Sequence, residues 1–120
     1  SLAKAKAIQD LASKTIERQI PSFDQLARLT DDEIVEITTR VRGVGIWTAQ
    51  MFLIFRLGRL DVMPSTDYGV RKGFARLYLK AGADLPEPQE IEKHARLWQP
   101  YRSVASWYMW RVLELESWLK

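Results

Sequence analysis

The stretch VRGVGIWTA, residues 41–49, decides the fold, because Gly43 and Gly45 stand between two helical patterns. Glycine reaches positive φ and lets other groups approach the backbone closely, so the chain can turn sharply here. A sharp turn would bring the N–H groups at the start of the helix from Ile46 up to a phosphate. The stretch therefore predicts a hairpin between two helices, with a backbone suited to an anion.

A bare Gly-Val-Gly sequence also fits an ordinary tight turn that only joins two packed helices. The apolar residues around the glycines, and the Thr-Ala pair that follows Trp47, favour a hairpin that binds DNA. Such a hairpin holds the phosphate backbone and does not read the bases. The residues predicted to bind the phosphate are Gly43, Val44, Gly45, Ile46 and Thr48.

Asp67, twenty residues after Trp47, stands directly before a helical pattern that starts at Tyr68. Aspartate at such a position most commonly caps the helix. A carboxylate beside the positive end of a helix dipole also suits a group that must face a developing positive charge. The two roles are compatible, so Asp67 is a candidate catalytic residue. Asp61, in the connector before it, is expected to be structural or solvent-exposed.

The rest of the chain predicts helices and no strand. Ser22 with Gln25 and Thr30 with Glu33 form capping-box signatures, and Gly58 marks the end of the second hairpin helix. The expected helices are about 2–19, 22–29, 30–40, 46–57, 68–79, 89–98 and 101–119. The predicted fold class is all-α, a helical bundle that contains the hairpin.

The composition fits one domain, because 120 residues with 47% apolar content can bury a core. We expect a single helical domain over 1–120, with the hairpin-bearing helices at about 1–60 and Asp67 and the C-terminal helices at about 61–120. The apolar runs are shorter than the roughly 18 residues of a membrane span. The first residues run into an amphipathic helix without an initiator Met, so we expect a fragment of a longer protein.

The residue types narrow the chemistry. The chain has no cysteine, which rules out disulfides, thiolate zinc sites and iron–sulfur clusters. Its one histidine, His94, is expected at the surface without a catalytic role, so carboxylates must carry any reaction. The net charge of +3 weakly favours an anionic partner.

Five tryptophans are many for this length, and most are expected in the core. Trp47 differs because it lies at the first helical turn past the hairpin, where it could face a cleft and stack on an extruded base. The helix from Tyr68 carries a basic run. This run fits a solvated face and a phosphate-facing surface equally well, and it consists of Arg71, Lys72, Arg76 and Lys80.

Together these segments resemble the helix–hairpin–helix DNA glycosylases, and within them the alkylpurine (3-methyladenine) glycosylase II branch. The resemblance covers nearly the whole chain. It rests on the hairpin at 41–49, on DVMP at 61–64 followed by Asp67, and on WQPYRSVA at 98–105 with Trp110.

The resemblance implies a base-excision repair enzyme that hydrolyses the N-glycosidic bond of alkylated purines, such as 3-methyladenine and 7-methylguanine, in double-stranded DNA. It implies that Asp67 is the catalytic carboxylate and that Trp47 and Trp110 line the base pocket. Strand-cleaving branches carry a hairpin lysine where this chain has Trp47, so we expect a monofunctional enzyme that forms no Schiff base.

The resemblance also implies that backbone carbonyls of Thr39, Val41 and Val44 hold a monovalent cation, Na⁺ or K⁺, and that no other cofactor and no iron–sulfur cluster is needed. The resemblance further implies that the protein lies in the compartment that contains the DNA, which is the cytoplasm of a bacterium or the nucleus of a eukaryote. The family has further helices before the segment that matches Ser1. Activity of this chain alone, and its self-association, are therefore open.

Two other classes of protein remain open for this sequence. A non-catalytic DNA-binding hairpin module explains the hairpin and the basic balance, but not the spacing to Asp67 or the C-terminal tryptophan segment. A helical scaffold without a DNA role would show no salt-dependent binding to duplex DNA, because phosphate contacts release counterions.

Overall fold

The computed structural model describes residues 1–119, and the regular structure in this part of the chain is all helical. The all-α prediction is confirmed. The α-helices are α1 Leu2–Ile16, α2 Phe23–Leu26, α3 Asp31–Thr39, α4 Ile46–Met51, α5 Tyr68–Tyr78, α6 Pro88–Ala95 and α7 Arg102–Leu119. A π-helical turn, Phe52–Arg56, continues α4, and a 3₁₀ turn, Arg96–Trp98, continues α6.

The chain divides into two compact units, Ser1–Gly58 and Arg59–Lys120. The first unit contains α1 to α4 with the hairpin, and the second contains Asp67 with α5 to α7. The single domain expected over the whole chain stays a prediction. None of the helices in the described residues combines the length and apolar character needed to cross a membrane.

Side chains cap the helices of the first unit as the sequence predicts. Ser22 Oγ accepts the Gln25 N–H at 3.3 Å while Gln25 Oε1 accepts the Ser22 N–H at 3.0 Å. Thr30 and Glu33 repeat the reciprocal pair at 3.2 and 2.9 Å. Each pair satisfies two N–H groups that the first helical turn leaves without a partner.

Helix α1 ends at Ile16, earlier than the expected Gln19. The Gln19 N–H reaches back to the Lys14 carbonyl at 2.8 Å, and Arg18 between them adopts a left-handed φ of 61°. This six-to-one hydrogen bond is the Schellman pattern, which turns the chain out of the helix. Arg18 occupies the position that usually holds glycine.

The core of the first unit is small. Its buried apolar side chains are Leu26, Ile34, Val41, Ala49 and Leu53. Helix α1 contributes no buried side chain to it. The second hairpin helix changes from α to π geometry at Phe52, which its apolar pattern did not predict, and Gly58 follows with φ of 66°, as expected for its end.

Helices α5, α6 and α7 enclose the core of the second unit. Their buried side chains, together with Met63 of the connector, are Val70, Phe74, Ile91, Ala95 and Met109. Gly73 sets the approach of α5 to α7, because a Cβ at this position would lie 2.3 Å from the Met109 carbonyl oxygen. Helix packing in this unit therefore depends on a residue without a side chain.

The connector before Asp67 is tied to the start of α7. Asp61 accepts from the Arg102 guanidinium at 2.8 Å and from the Arg102 N–H at 3.2 Å. Ser103 Oγ accepts the Val62 N–H at 2.9 Å and donates to the Arg59 carbonyl at 2.7 Å. The Arg102 side chain holds the pKa of Asp61 below its ordinary value. Asp61 is thus structural, one of the two roles expected for it.

His94 is not the surface histidine that the sequence suggested. It is half-buried, and its ring centroid lies 4.5 Å from that of Tyr78, 5.1 Å from that of Trp98 and 5.3 Å from that of Phe74. The expectation was wrong because His94 lies three residues after the buried Ile91, on the inward face of α6.

Candidate functional site

Asp67 caps the N-terminus of α5. Its backbone is extended, with φ of −64° and ψ of 127°, and its Oδ2 accepts the Val70 N–H at 2.9 Å. The Asp67 N–H is itself fixed, since it donates to the Pro64 carbonyl at 3.0 Å. The carboxylate therefore lies at the positive end of an eleven-residue helix, where negative charge is favoured.

Trp110 of α7 holds the same carboxylate from the side. Its indole Nε1–H donates to Asp67 Oδ2 at 2.8 Å, between residues 43 positions apart. The Trp110 ring is half-buried and packs against the core of the second unit. A hydrogen bond to an ionised acceptor is stronger than a neutral one. The two donors, one backbone and one indole, thus fix the orientation of the Asp67 carboxylate.

Gly69 makes room for this contact. A Cβ on Gly69 would lie 2.8 Å from Trp110 Cδ1, 3.0 Å from Trp110 Nε1 and 3.2 Å from Asp67 Oδ2. Any larger residue would displace the indole ring. The indole can pass over Gly69 because glycine carries no side chain. Sequence reasoning missed Gly69. The available signal was a glycine in the first turn of a helix, where it brings no benefit to helix stability.

The loop that leads to Asp67 is anchored to α6. Ser65 Oγ donates to Glu92 Oε1 at 2.7 Å, and the Ser65 N–H donates to the Met63 carbonyl at 2.9 Å. Ser65 is 3% exposed. The backbone before the cap is therefore fixed by one side-chain hydrogen bond to α6 and by one backbone hydrogen bond within its own turn.

In the hairpin of the first unit, Gly43 takes the left-handed φ that its residue type allows, whereas Gly45 has an extended backbone with a φ of −97°. Gly43 takes a φ of 82°, and the Val44 N–H closes the turn on the Val41 carbonyl at 3.1 Å. Gly45 is the N-cap of α4 and has no side chain to cap it. Of the residues predicted to bind phosphate, Val44 is half-buried and the others are exposed, namely Gly43, Gly45, Ile46 and Thr48.

The predicted base-pocket residues belong to different units. Trp110 contacts Asp67 within the second unit. Trp47 lies in the first turn of α4 in the first unit, and 49% of its surface is exposed. The assignment of Trp47 to the base pocket stays a prediction.

Three of the four residues in the predicted basic run make contacts within the second unit, and the fourth, Lys80, lies beyond the end of α5. Arg71 Nε donates to the Pro86 carbonyl at 3.0 Å, and Arg76 pairs with Glu116 at 2.8 Å. The Lys72 ammonium lies 5.9 Å from the centroid of the Tyr68 ring. The guanidinium groups of this run therefore support the fold of the second unit, in addition to adding positive charge.

The chain is similar to known proteins. The chain is 35% identical to DNA-3-methyladenine glycosylase 1 of Schizosaccharomyces pombe over 120 residues, which are 100% of this chain and 52% of that protein. The chain belongs to the DNA-3-methyladenine glycosylase family. No protein-family model matches it.

Solved structures of DNA-3-methyladenine glycosylases share the fold. The S. pombe enzyme in complex with abasic DNA superposes with a TM-score of 0.84 at 36% identity, over 92% of this chain and 53% of the other. The Bacillus halodurans DNA-3-methyladenine glycosidase gives 0.83 at 32% identity, over 92% and 50%. The chain spans about half the length of these relatives.

Proposed function

We propose that this chain carries the base-excising centre of a monofunctional DNA glycosylase, which hydrolyses the N-glycosidic bond of alkylated purines such as 3-methyladenine and 7-methylguanine. The observation that carries the proposal is the Asp67 carboxylate, held at the N-terminus of α5 by Val70 N–H and Trp110 Nε1–H. The names of its relatives support the substrate class.

Asp67 supplies the charge that the reaction needs. Alkylation of a ring nitrogen makes the base cationic and therefore a good leaving group. As the C1′–N bond breaks, the bonding electrons go to the base and the sugar becomes oxocarbenium-like. The fixed carboxylate stabilises that cation, and water adds to C1′ and loses a proton to Asp67 or to solvent. The products are the free base and an abasic site.

The hairpin and two tryptophans serve binding. The backbone from Gly43 to Thr48 binds a phosphate of double-stranded DNA, and Trp47 stacks on the extruded base. Trp110 donates its N–H to Asp67, so it offers the base its ring surface. Trp47 has no amine, so no Schiff base forms at this position and the strand is not cleaved there.

We also propose that the backbone carbonyls of Thr39, Val41 and Val44 hold a monovalent cation, Na⁺ or K⁺. Thr39 is the last residue of α3, at the negative end of its dipole. The Val41 carbonyl accepts one N–H and keeps a second lone pair. The cation would place positive charge beside the phosphate. DNA affinity should be higher in KCl than in tetramethylammonium chloride of equal ionic strength, and equal affinities would exclude the cation.

A base-release assay on methylated duplex DNA tests the reaction. The 120-residue chain should release methylated purines, and Asp67→Asn should reduce the rate by about 100-fold or more while DNA affinity is largely kept, because the variant loses only the charge. The S. pombe enzyme is the positive control for the substrate.

Three outcomes separate the assignments. A near-normal rate in Asp67→Asn would show that another residue supplies the charge. Salt-dependent DNA binding without base release would show that these 120 residues act on their own as a DNA-binding hairpin module, since the relatives are about twice as long. Neither binding nor release would leave only a helical scaffold.

A further inference from the structure

The carboxylate of Asp10 joins α1 to the hairpin. Its Oδ2 accepts the backbone N–H of Arg42 at 2.7 Å, between residues 32 positions apart. Its two oxygens also accept from Lys14 Nζ at 2.6 and 2.8 Å. Such charge-assisted hydrogen bonds are stronger than neutral ones. The residue before Gly43 is therefore fixed by a side chain from another helix.

A second contact lies beside the first. A Cβ on Gly43 would lie 3.1 Å from the Cβ of Ala7, so α1 passes close to the hairpin backbone at that glycine. Ala7 and Asp10 are three residues apart and share one face of α1. Consecutive residues of the turn, Arg42 and Gly43, thus meet the same helix face. This face contributes to the hairpin although α1 buries no side chain in the core.

We propose that Asp10 is a positioning residue for the hairpin. By accepting the Arg42 N–H, it keeps the backbone from Gly43 to Thr48 in the conformation that binds a phosphate. The inference rests on the DNA-binding role of the hairpin proposed above. Without this contact the hairpin would hold that conformation for only part of the time, and the apparent affinity for DNA would fall by the same fraction.

Because Asp10 is negatively charged, its replacement can change the DNA affinity in either direction, and the direction tests the proposal. A carboxylate close to the phosphate-binding turn repels DNA, so electrostatics alone predicts that its removal tightens binding. Positioning predicts the opposite sign. An amide in its place still offers a neutral oxygen to the Arg42 N–H, whereas an alanine offers none.

The experiment compares Asp10→Asn and Asp10→Ala in the 120-residue chain, with a methylated duplex as the probe. Affinity is measured at two salt concentrations, and the exchange of the Arg42 amide with water is measured by NMR. We expect the affinity to fall about 3-fold for the asparagine and about 10-fold for the alanine variant, with faster Arg42 exchange in both.

Glu36→Gln is the matched control. Glu36 also pairs with a basic residue four positions away, Arg40, at 2.9 Å, but both side chains are largely exposed on the surface. This change removes the same charge from the first unit and leaves the Asp10 contact intact, so it should keep or slightly raise the affinity. Circular dichroism reports whether each variant folds. If Asp10→Ala does not fold, the affinity and Arg42 exchange of Asp10→Asn decide the proposal.

Failure of the positioning role and failure of DNA binding by the hairpin give different results in this experiment. If the wild-type chain shows no salt-dependent DNA binding, the DNA-binding role proposed for the hairpin is overturned. Wild-type binding with equal or tighter binding by both Asp10 variants overturns the positioning role alone. Weaker binding with unchanged Arg42 exchange overturns it as well, because the effect would then not pass through that N–H.

Discussion

At the scale of single residues, one of the two hydrogen bonds to the Asp67 carboxylate could be predicted from the sequence and the other could not. The cap on α5 follows from an aspartate directly before a helical pattern, because a capping hydrogen bond spans three residues. The bond from Trp110 spans 43 positions and depends on how α7 packs against α5. No local pattern carries that information, and the role of Gly69 depends on the same packing.

Replacement of Gly69 by alanine tests this arrangement. Alanine in a helix normally stabilises it by about 0.5–1 kcal/mol relative to glycine. Here the new Cβ would meet the indole of Trp110 at 2.8 Å, so the ring must move away from Asp67. We expect the single-turnover rate of base release to fall about 10- to 100-fold, since small displacements of a catalytic group are costly.

The same substitution in a Trp110→Ala background is the control for Gly69→Ala. Alanine at position 110 lacks both the indole N–H and the Cδ1 atom that the new Cβ would meet, so Gly69→Ala should then have little additional effect. A wild-type rate in the Gly69→Ala variant, or additive losses in the double variant, would contradict the arrangement.

At the scale of elements, helix starts were predicted better than helix geometry. Starts are marked by side chains that can be read directly, as Ser22 and Thr30 show. At the early end of α1 and in the π-turn at Phe52, backbone N–H groups bond to carbonyls five residues back instead of the four of an α-helix. The side chains in these stretches did not mark that change. His94 was misplaced for a related reason, because one polar residue on an inward helix face looks like a surface residue until its neighbours are known.

At the scale of the whole molecule, each unit contains one aspartate whose pKa lies below its ordinary value of 3.8. In the first unit, Lys14 and then the Arg42 N–H lower the pKa of Asp10. In the second, the Arg102 side chain lowers the pKa of Asp61. A carboxyl group with a lowered folded-state pKa stabilises the folded state above its unfolded-state pKa and loses that contribution as pH falls through the folded-state value.

Acid should therefore destabilise both units through these two contacts. We expect the free energy of unfolding, measured by urea denaturation, to be steady near pH 7 and to fall as the pH drops below about 5 and through the lowered pKa values of the two carboxyl groups. Asp10→Asn combined with Asp61→Asn should lower stability at pH 7 and reduce the further loss at acid pH, because asparagine does not titrate. Each single variant should show part of both effects. If the double variant lost stability at acid pH as steeply as the wild-type chain, the acid sensitivity would have to come from other carboxylates. The hydrogen bonds from Arg42 to Asp10 and from Arg102 to Asp61 would then contribute little to the stability of the two units.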